Sequence, residues 1–391
     1  MPRPRRLIPT PSNHDESREG VVMNLDVLLT ELVARKGSDL FITVGTPPTL
    51  KVNGHLQSLA EAPLDKARAL ALVKETLSQE HFERYLHTKE ANYAIHREEL
   101  GRFRVSAFWQ QELPGMVLRR IETRIPTFDE LALPPILQEI ALAKRGLVLF
   151  VGATGAGKST TQAAMIGYRN QHVDGHILTV EDPVEFVHQH GRSLITQREV
   201  GIDTASFDVA LKSSLRQAPD VILIGEIRSQ ETMEFALQFA ETGHLCLATL
   251  HANNANQALD RILHLVPQEK HRQFLFDLSF NLRAIVAQQL LPSLDGRRRC
   301  AAFEVLLNTP LITDIIRKGE MHRLKEVMTK STELGMQTFD QALFALFCAG
   351  QIGYSEALAH ADSANDLRLL IKLSGREQLG AGTLDNVTLD E

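Results

Sequence analysis

The chain has 391 residues, 43% hydrophobic and 23% charged, a balance that supports packed cores and favours two or three domains. A formal net charge of −6, with one tryptophan and four tyrosines, argues against a broad nucleic-acid surface, so no nucleic-acid partner is expected. Cys246, Cys300 and Cys348 stand far apart with no CxxC pair, which argues against a zinc ribbon or a disulfide framework and for a reducing compartment.

Residues 1–22 are rich in Pro, Arg, Ser and Glu and read as a disordered tail. They hold no apolar h-region, and no run in the chain approaches the roughly 18 apolar residues of a membrane span, so neither export nor membrane insertion is expected. Residues 23–122 read as a small α+β domain. "DLFITVG" and "TLKVNGHLQSL" are strand-like, with Asn53-Gly54 as a hairpin turn because both positions tolerate positive φ. Leu64 to about Leu86 reads as one helix with Leu70, Val73 and Leu77 on one face. "ANYAIH", "GRFRVSAFWQ" and "GMVLRRI" follow as three strands, the last two separated by a Pro-Gly turn. The proline-rich "ETRIPTFDELALPP" gives a linker at 123–133.

From 134 to 374 strand and helix alternate: "GLVLFVG", a helix from about Lys158, "HILTV", a helix near Phe207 to Arg216, "VILIG", a helix at Gln230 to Glu241, and "HLCLATL". Such alternation predicts a parallel sheet covered by helices, an α/β domain. Beyond about residue 255 the chain reads as mostly helical, and 375–391 as a polar tail.

"GATGAGKST", Gly152, Ala153, Thr154, Gly155, Ala156, Gly157, Lys158, Ser159 and Thr160, satisfies G-x-x-x-x-G-K-[ST] after an apolar strand and before a helix. The glycines let successive N–H groups turn toward one anion, and the helix start adds its own free N–H groups and partial positive charge. Lys158 places a compact charge on the β- and γ-phosphates, and Ser159 offers a hydroxyl to Mg²⁺. No N/T-K-x-D guanine motif is present, so ATP is preferred to GTP. In "VILIGEIR" the strand is followed by Gly225 and Glu226, with no aspartate at the tip. "HILTVEDPVEF" supplies the acids instead: Glu181, Asp182 and Glu185 cluster at the carboxyl end of a parallel strand, where such sheets bind ligands. One of them can orient or deprotonate a water, and Glu226 holds Mg²⁺ through water. His244 and His251 end the run "HLCLATLH", about 23 Å apart at about 3.3 Å per residue, too far to share one ion. One or both are expected to sense phosphate or orient the acids.

The ordered set "GATGAGKST", "TVEDPVEF", "ITQREVGID", "PDVILIGEIR" and "AETGHLCLATLHANNA" resembles the type IV pilus retraction ATPases, the PilT/PilU branch of the secretion ATPase superfamily. The resemblance runs from about Met23 to about Lys372. It implies a PAS-like N-terminal domain, a RecA-like P-loop ATPase domain, and a homo-hexameric ring that hydrolyses ATP with Mg²⁺. It implies Glu185 as catalytic base, Glu226 as the Walker B glutamate, and Arg104 and Arg119 as the N-domain arginines that reach the phosphates. Arg102 and Arg104 alternate along a strand and so share a face. Two departures, Ala218 in "RQAPD" and the segment "LITDIIRKG", resemble the PilU-like paralogue. That subgroup implies action beside a PilT-like motor ATPase and against an inner-membrane platform protein, at the cytoplasmic face of that membrane. The missing tetracysteine site disfavours pilus extension. A nucleotide-gated scaffold with little hydrolysis of its own is the rival expectation.

Overall fold

The structure, a computed structural model, describes residues 24–59, 62–121 and 124–375. The 1–22 tail, and the 375–391 tail beyond Gly375, lie outside the described residues. The chain divides into two compact units between Arg120 and Ile121, each with its own apolar core.

The first unit is a six-stranded sheet of β1 Asp39–Thr43, β2 Thr49–Val52, β3 His55–Ser58, β4 Glu90–Arg97, β5 Gly101–Gln110 and β6 Leu113–Ile121, in the order β3-β2-β1-β6-β5-β4. Asn53 and Gly54 (φ 51° and 84°) close the β2–β3 hairpin with Val52 opposite His55, the two positive φ values that a tight right-twisted hairpin requires. Along β5, Phe103, Val105 and Ala107 sink into a core shared with Leu28, Leu29 and Leu32 of the helix Leu25–Ala34. Alternation puts Arg102 and Arg104 on the other face.

Three details differ from the sequence reading. The helix Leu25–Ala34, capped by Asn24, was not anticipated. The single helix expected over 64–86 is two, Lys66–Lys74 and Gln79–Thr88, because the Ser78 side chain accepts from the His81 N–H and starts a new helix. The β5–β6 turn is made by Gln111 and Glu112, both at positive φ, and Pro114 and Gly115 lie within β6. A Cβ on Gly115 would stand 3.0 Å from the Phe108 ring, so the glycine serves close packing between strands rather than a turn.

In the second unit β7 Gly146–Val151, β8 Gly175–Glu181, β9 Ser193–Glu199, β10 Val221–Ile224, β11 Leu245–Leu250, β12 Leu282–Pro292 and β13 Arg299–Leu307 form one sheet in the order β13-β12-β7-β11-β10-β8-β9. All neighbours are parallel except β12 and β13. β7 is buried on both faces: Leu147, Leu149 and Val151 enter one core cluster, Val148 and Phe150 the other. This is the pattern of a helix-covered parallel sheet. The strands β9, β12 and β13 were not read from the sequence, and β12 and β13 correct the expectation of a mostly helical segment after residue 255. The 123–133 segment read as a linker buries Phe128 and Leu133 in the second unit's core.

Candidate active site

The sheet order sets out the chemistry. The tip of β7 carries the glycine cradle, the next strand β11 ends in His251, β10 ends in Gly225-Glu226, and β8 ends in the acidic turn. Gly152 (φ 149°) follows β7, and Gly157 (φ 90°) opens the helix Lys158–His172. A Cβ on Gly152 would meet the Gln288 carbonyl oxygen at 2.5 Å, and one on Gly157 the Gln288 Nε2 at 2.8 Å. Both positions need glycine for conformation and for space. Gln288, on β12, accepts a 2.8 Å hydrogen bond at Oε1 from buried Thr161. That bond turns its Nε2 toward Gly157.

Lys158 is nearly buried, and its Nζ donates to the carbonyls of Gly152 (2.7 Å) and Ala153 (2.9 Å). Burial lowers its pKa, while the charges of Glu226 and then Glu185 pull it back up. Those carboxylates therefore act on the cradle's ammonium from two strand tips. Ala153, Thr154 and Gly155 form an exposed lip, Ala156 is buried, and Ser159 and Thr160 are half-buried at the helix start. Cradle, cation, hydroxyl and carboxylates form a donor set suited to a nucleoside triphosphate with Mg²⁺.

The acidic turn splits its roles. Glu181 Oε1 accepts from Thr179 Oγ1 (2.6 Å) and Gln197 Nε2 (3.3 Å). Burial pushes its carboxyl up to about 7 against those hydrogen bonds. Asp182 and Glu185 are exposed. Glu226 Oε2 accepts from Arg228 Nε at 2.7 Å and faces its Nη2 at 2.6 Å, while Oε1 lies 3.1 Å from His251 Nε2. Arg228 Nη1 also stands 3.6 Å from Asp182 Oδ2. The missing aspartate has a steric reason: a Cβ on Gly225 would stand 3.1 Å from Glu181 Cα and 3.2 Å from the Val180 carbonyl oxygen. The β10 tip passes close enough to β8 that a side chain there would be crowded, and the acid stands one residue on.

The structure brings Lys158, Glu185, Glu226 and His251 to the cradle, but not His244. His244 precedes β11 beside the start of β7, where its carbonyl accepts from the Gly146 N–H, and its Nδ1 lies 3.1 Å from the Phe239 carbonyl oxygen. It sits about 20 Å from the cradle along six strand residues. Of the two histidines, His251 is the one at the cradle end of the sheet within this chain. In the first unit Arg104 is exposed opposite Ala94, and Arg119 is paired at 2.8 Å with buried Asp39. Gln288, Gln197 and Arg228 were missed as site residues; only Arg228 carried a signal, as part of the strand-tip segment "VILIGEIR".

A RecA-type sheet with a phosphate cradle at one strand tip and carboxylates at two others defines a P-loop ATPase. A family model described as "Type II/IV secretion system protein" matches residues 14–340, and the chain belongs to that family and, within it, to the PilT/PilU type IV pilus ATPases. It is 61% identical over 351 residues to "Type IV pilus ATPase PilU" of Pseudomonas aeruginosa, covering 90% of this chain and 92% of that protein. It is 37% identical over 335 residues to the "Type IV pilus retractation ATPase PilT" of the same organism, covering 86% and 97%. Among solved structures it is similar to the pilus retraction motor PilT with bound ADP: TM-score 0.84, 35% identity, covering 89% of this chain and 99% of that one.

Proposed function

We propose that this chain is one subunit of a hexameric ATP-hydrolysing motor for type IV pilus retraction, working with a PilT-like partner ATPase against an inner-membrane platform protein. Its place is the cytoplasmic face of that membrane; no helix among the described residues is long and apolar enough to cross one. One observation carries the reading: a glycine cradle closed by the buried Lys158 stands at one strand tip of the sheet, with Glu226 and the acidic turn at two others.

Lys158 and the N–H groups of 152–160 bind and orient the phosphate chain. Glu185, exposed beside them, takes the proton of the attacking water. Glu226 presents its carboxylate beside His251. Mg²⁺, when bound, would neutralise phosphate charge, with Ser159 and, through water, Glu226 to hold it. A conformational change on nucleotide binding would then be the force-bearing step, and such steps commonly limit turnover. Ala218 stands where the retraction motors of the resemblance carry aspartate, and it adopts a left-handed backbone (φ 50°) that aspartate tolerates better. This departure supports the PilU-like, partner-dependent reading.

The test is phosphate release by the purified protein, alone and with a PilT-like ATPase made hydrolysis-dead by replacing its own P-loop lysine. Lys158→Ala should abolish it. Glu185→Gln should keep nucleotide binding and lose roughly 10²–10⁴ in rate. Unchanged turnover in either variant would remove that residue from the site, and wild-type turnover that stays negligible with the partner present would leave only a nucleotide-binding scaffold.

A further inference from the structure

Arg228 is absorbed by none of the roles above. It follows Glu226 by two residues across Ile227, which is 3% exposed and donates its N–H to the Thr249 carbonyl. With Ile227 sunk in the core, Glu226 and Arg228 share the outward face. The guanidinium spends Nε and Nη2 on one oxygen of Glu226, and Nη1 faces Asp182 on the neighbouring strand tip. The two tips already touch through the Gly225 N–H, which donates to the Val180 carbonyl.

We propose that Arg228 is a positioning residue: it ties the β8 turn at Asp182 to the β10 tip, fixes Glu226 Oε2, and leaves Oε1 turned to His251. Without it Glu226 keeps its charge but loses its orientation, and Asp182 loses the cation that links its turn to β10. A planar fork suits this task, because a lysine is a point charge that cannot hold one oxygen with two N–H groups while reaching a second carboxylate. The side chain is 61% exposed, so its removal leaves the core intact.

This inference rests on the reading of the site as an ATP site, and the experiment separates the two. Binding of a fluorescent ATP analogue is measured in EDTA and in Mg²⁺, together with steady-state hydrolysis. Arg228→Gln should bind the analogue in EDTA within about twofold of the parent, while the gain from Mg²⁺ shrinks. Its kcat should fall by roughly tenfold or more, as for a misplaced catalytic group, with KM little changed. Arg228→Lys should recover less than half of the loss. In a Glu226→Gln background, Arg228→Gln should add less than about twofold, because the group it positions is already gone. Losses that multiply in that background overturn the proposal. So does weakened binding in EDTA, which would make Arg228 a phosphate contact, and so does parent-like behaviour of Arg228→Gln. Undiminished analogue binding by Lys158→Ala would instead sink the ATP-site reading itself.

Discussion

Glu304, on β13, is the most deeply buried acid among the described residues, 1% exposed. Its Oε1 accepts a 2.7 Å hydrogen bond from the N–H of Ala255, the first residue of the helix Ala255–His264 that begins just past His251. Burial pushes its carboxyl from 4.5 to about 7; the Ala255 hydrogen bond and Lys325 oppose the rise, and the Asp362 charge adds to it. Between about 4.5 and about 7 the folded state holds a proton that the unfolded chain releases. The stabilisation is complete below the unfolded value and is lost as pH rises through the folded one. In urea unfolding across pH 5–8 Glu304 should therefore contribute a fall in stability with rising pH on the order of 1–3 kcal/mol, opposed below about 6.5 by His188, whose pKa burial lowers to about 4. Glu304→Gln should flatten part of that slope, leaving the share of Glu181, which shifts the same way to about 7. A slope identical to the parent's would show that Glu304 is ionised throughout. At this scale the local site was legible: cradle, Lys158, Glu185, Glu226 and His251 all sit in short motifs. Gln288 was not, because its contact with Thr161 spans 127 residues and a glutamine in a strand has no signature of its own.

At the level of elements, legibility followed the strength of local signals. The helix Gln230–Glu241 and the strands β7, β8, β10 and β11 were read almost to the residue, since apolar runs of four to seven residues are bounded by glycine or charged turns. β12 failed because the helix His271–Asn281 passes into it without a turn residue, and its short apolar run 284–287 suits a buried strand and a buried helix segment equally. The merged helix of the first unit failed for the opposite reason: one serine outweighed a continuous apolar face. If the Ser78 cap holds that break, Ser78→Ala should cost about 1 kcal/mol, within the usual range for a lost N-cap. Urea unfolding followed in the first unit should show it, with nucleotide affinity of the second unit unchanged. A loss below about 0.3 kcal/mol would mean that packing of Phe82 and Tyr85 alone places the second helix.

For the molecule as a whole the sharpest question is whether the first unit takes part in nucleotide binding, as the resemblance implies through Arg104 and Arg119. The two arginines are unequal probes. Removing Arg119 would strand buried Asp39 without its 2.8 Å partner and weaken the sheet itself, whereas Arg104 is exposed and has no such duty. The chain offers its own reporter, because its single tryptophan, Trp109, lies on β5 of the first unit under the Lys89 ammonium, 4.2 Å from the ring centroid. A ligand present at one hundred times its dissociation constant stabilises whatever binds it by about 2.7 kcal/mol. If the nucleotide touches only the cradle, that gain belongs to the second unit and the Trp109 unfolding midpoint stays where it was. If Arg104 also holds phosphate, part of the gain passes to the first unit. ATP with Mg²⁺ should then raise the Trp109 midpoint in the parent and leave it unmoved in Arg104→Ala, while the second unit is still stabilised in both. An equal rise in Arg104→Ala would take this arginine out of the nucleotide site.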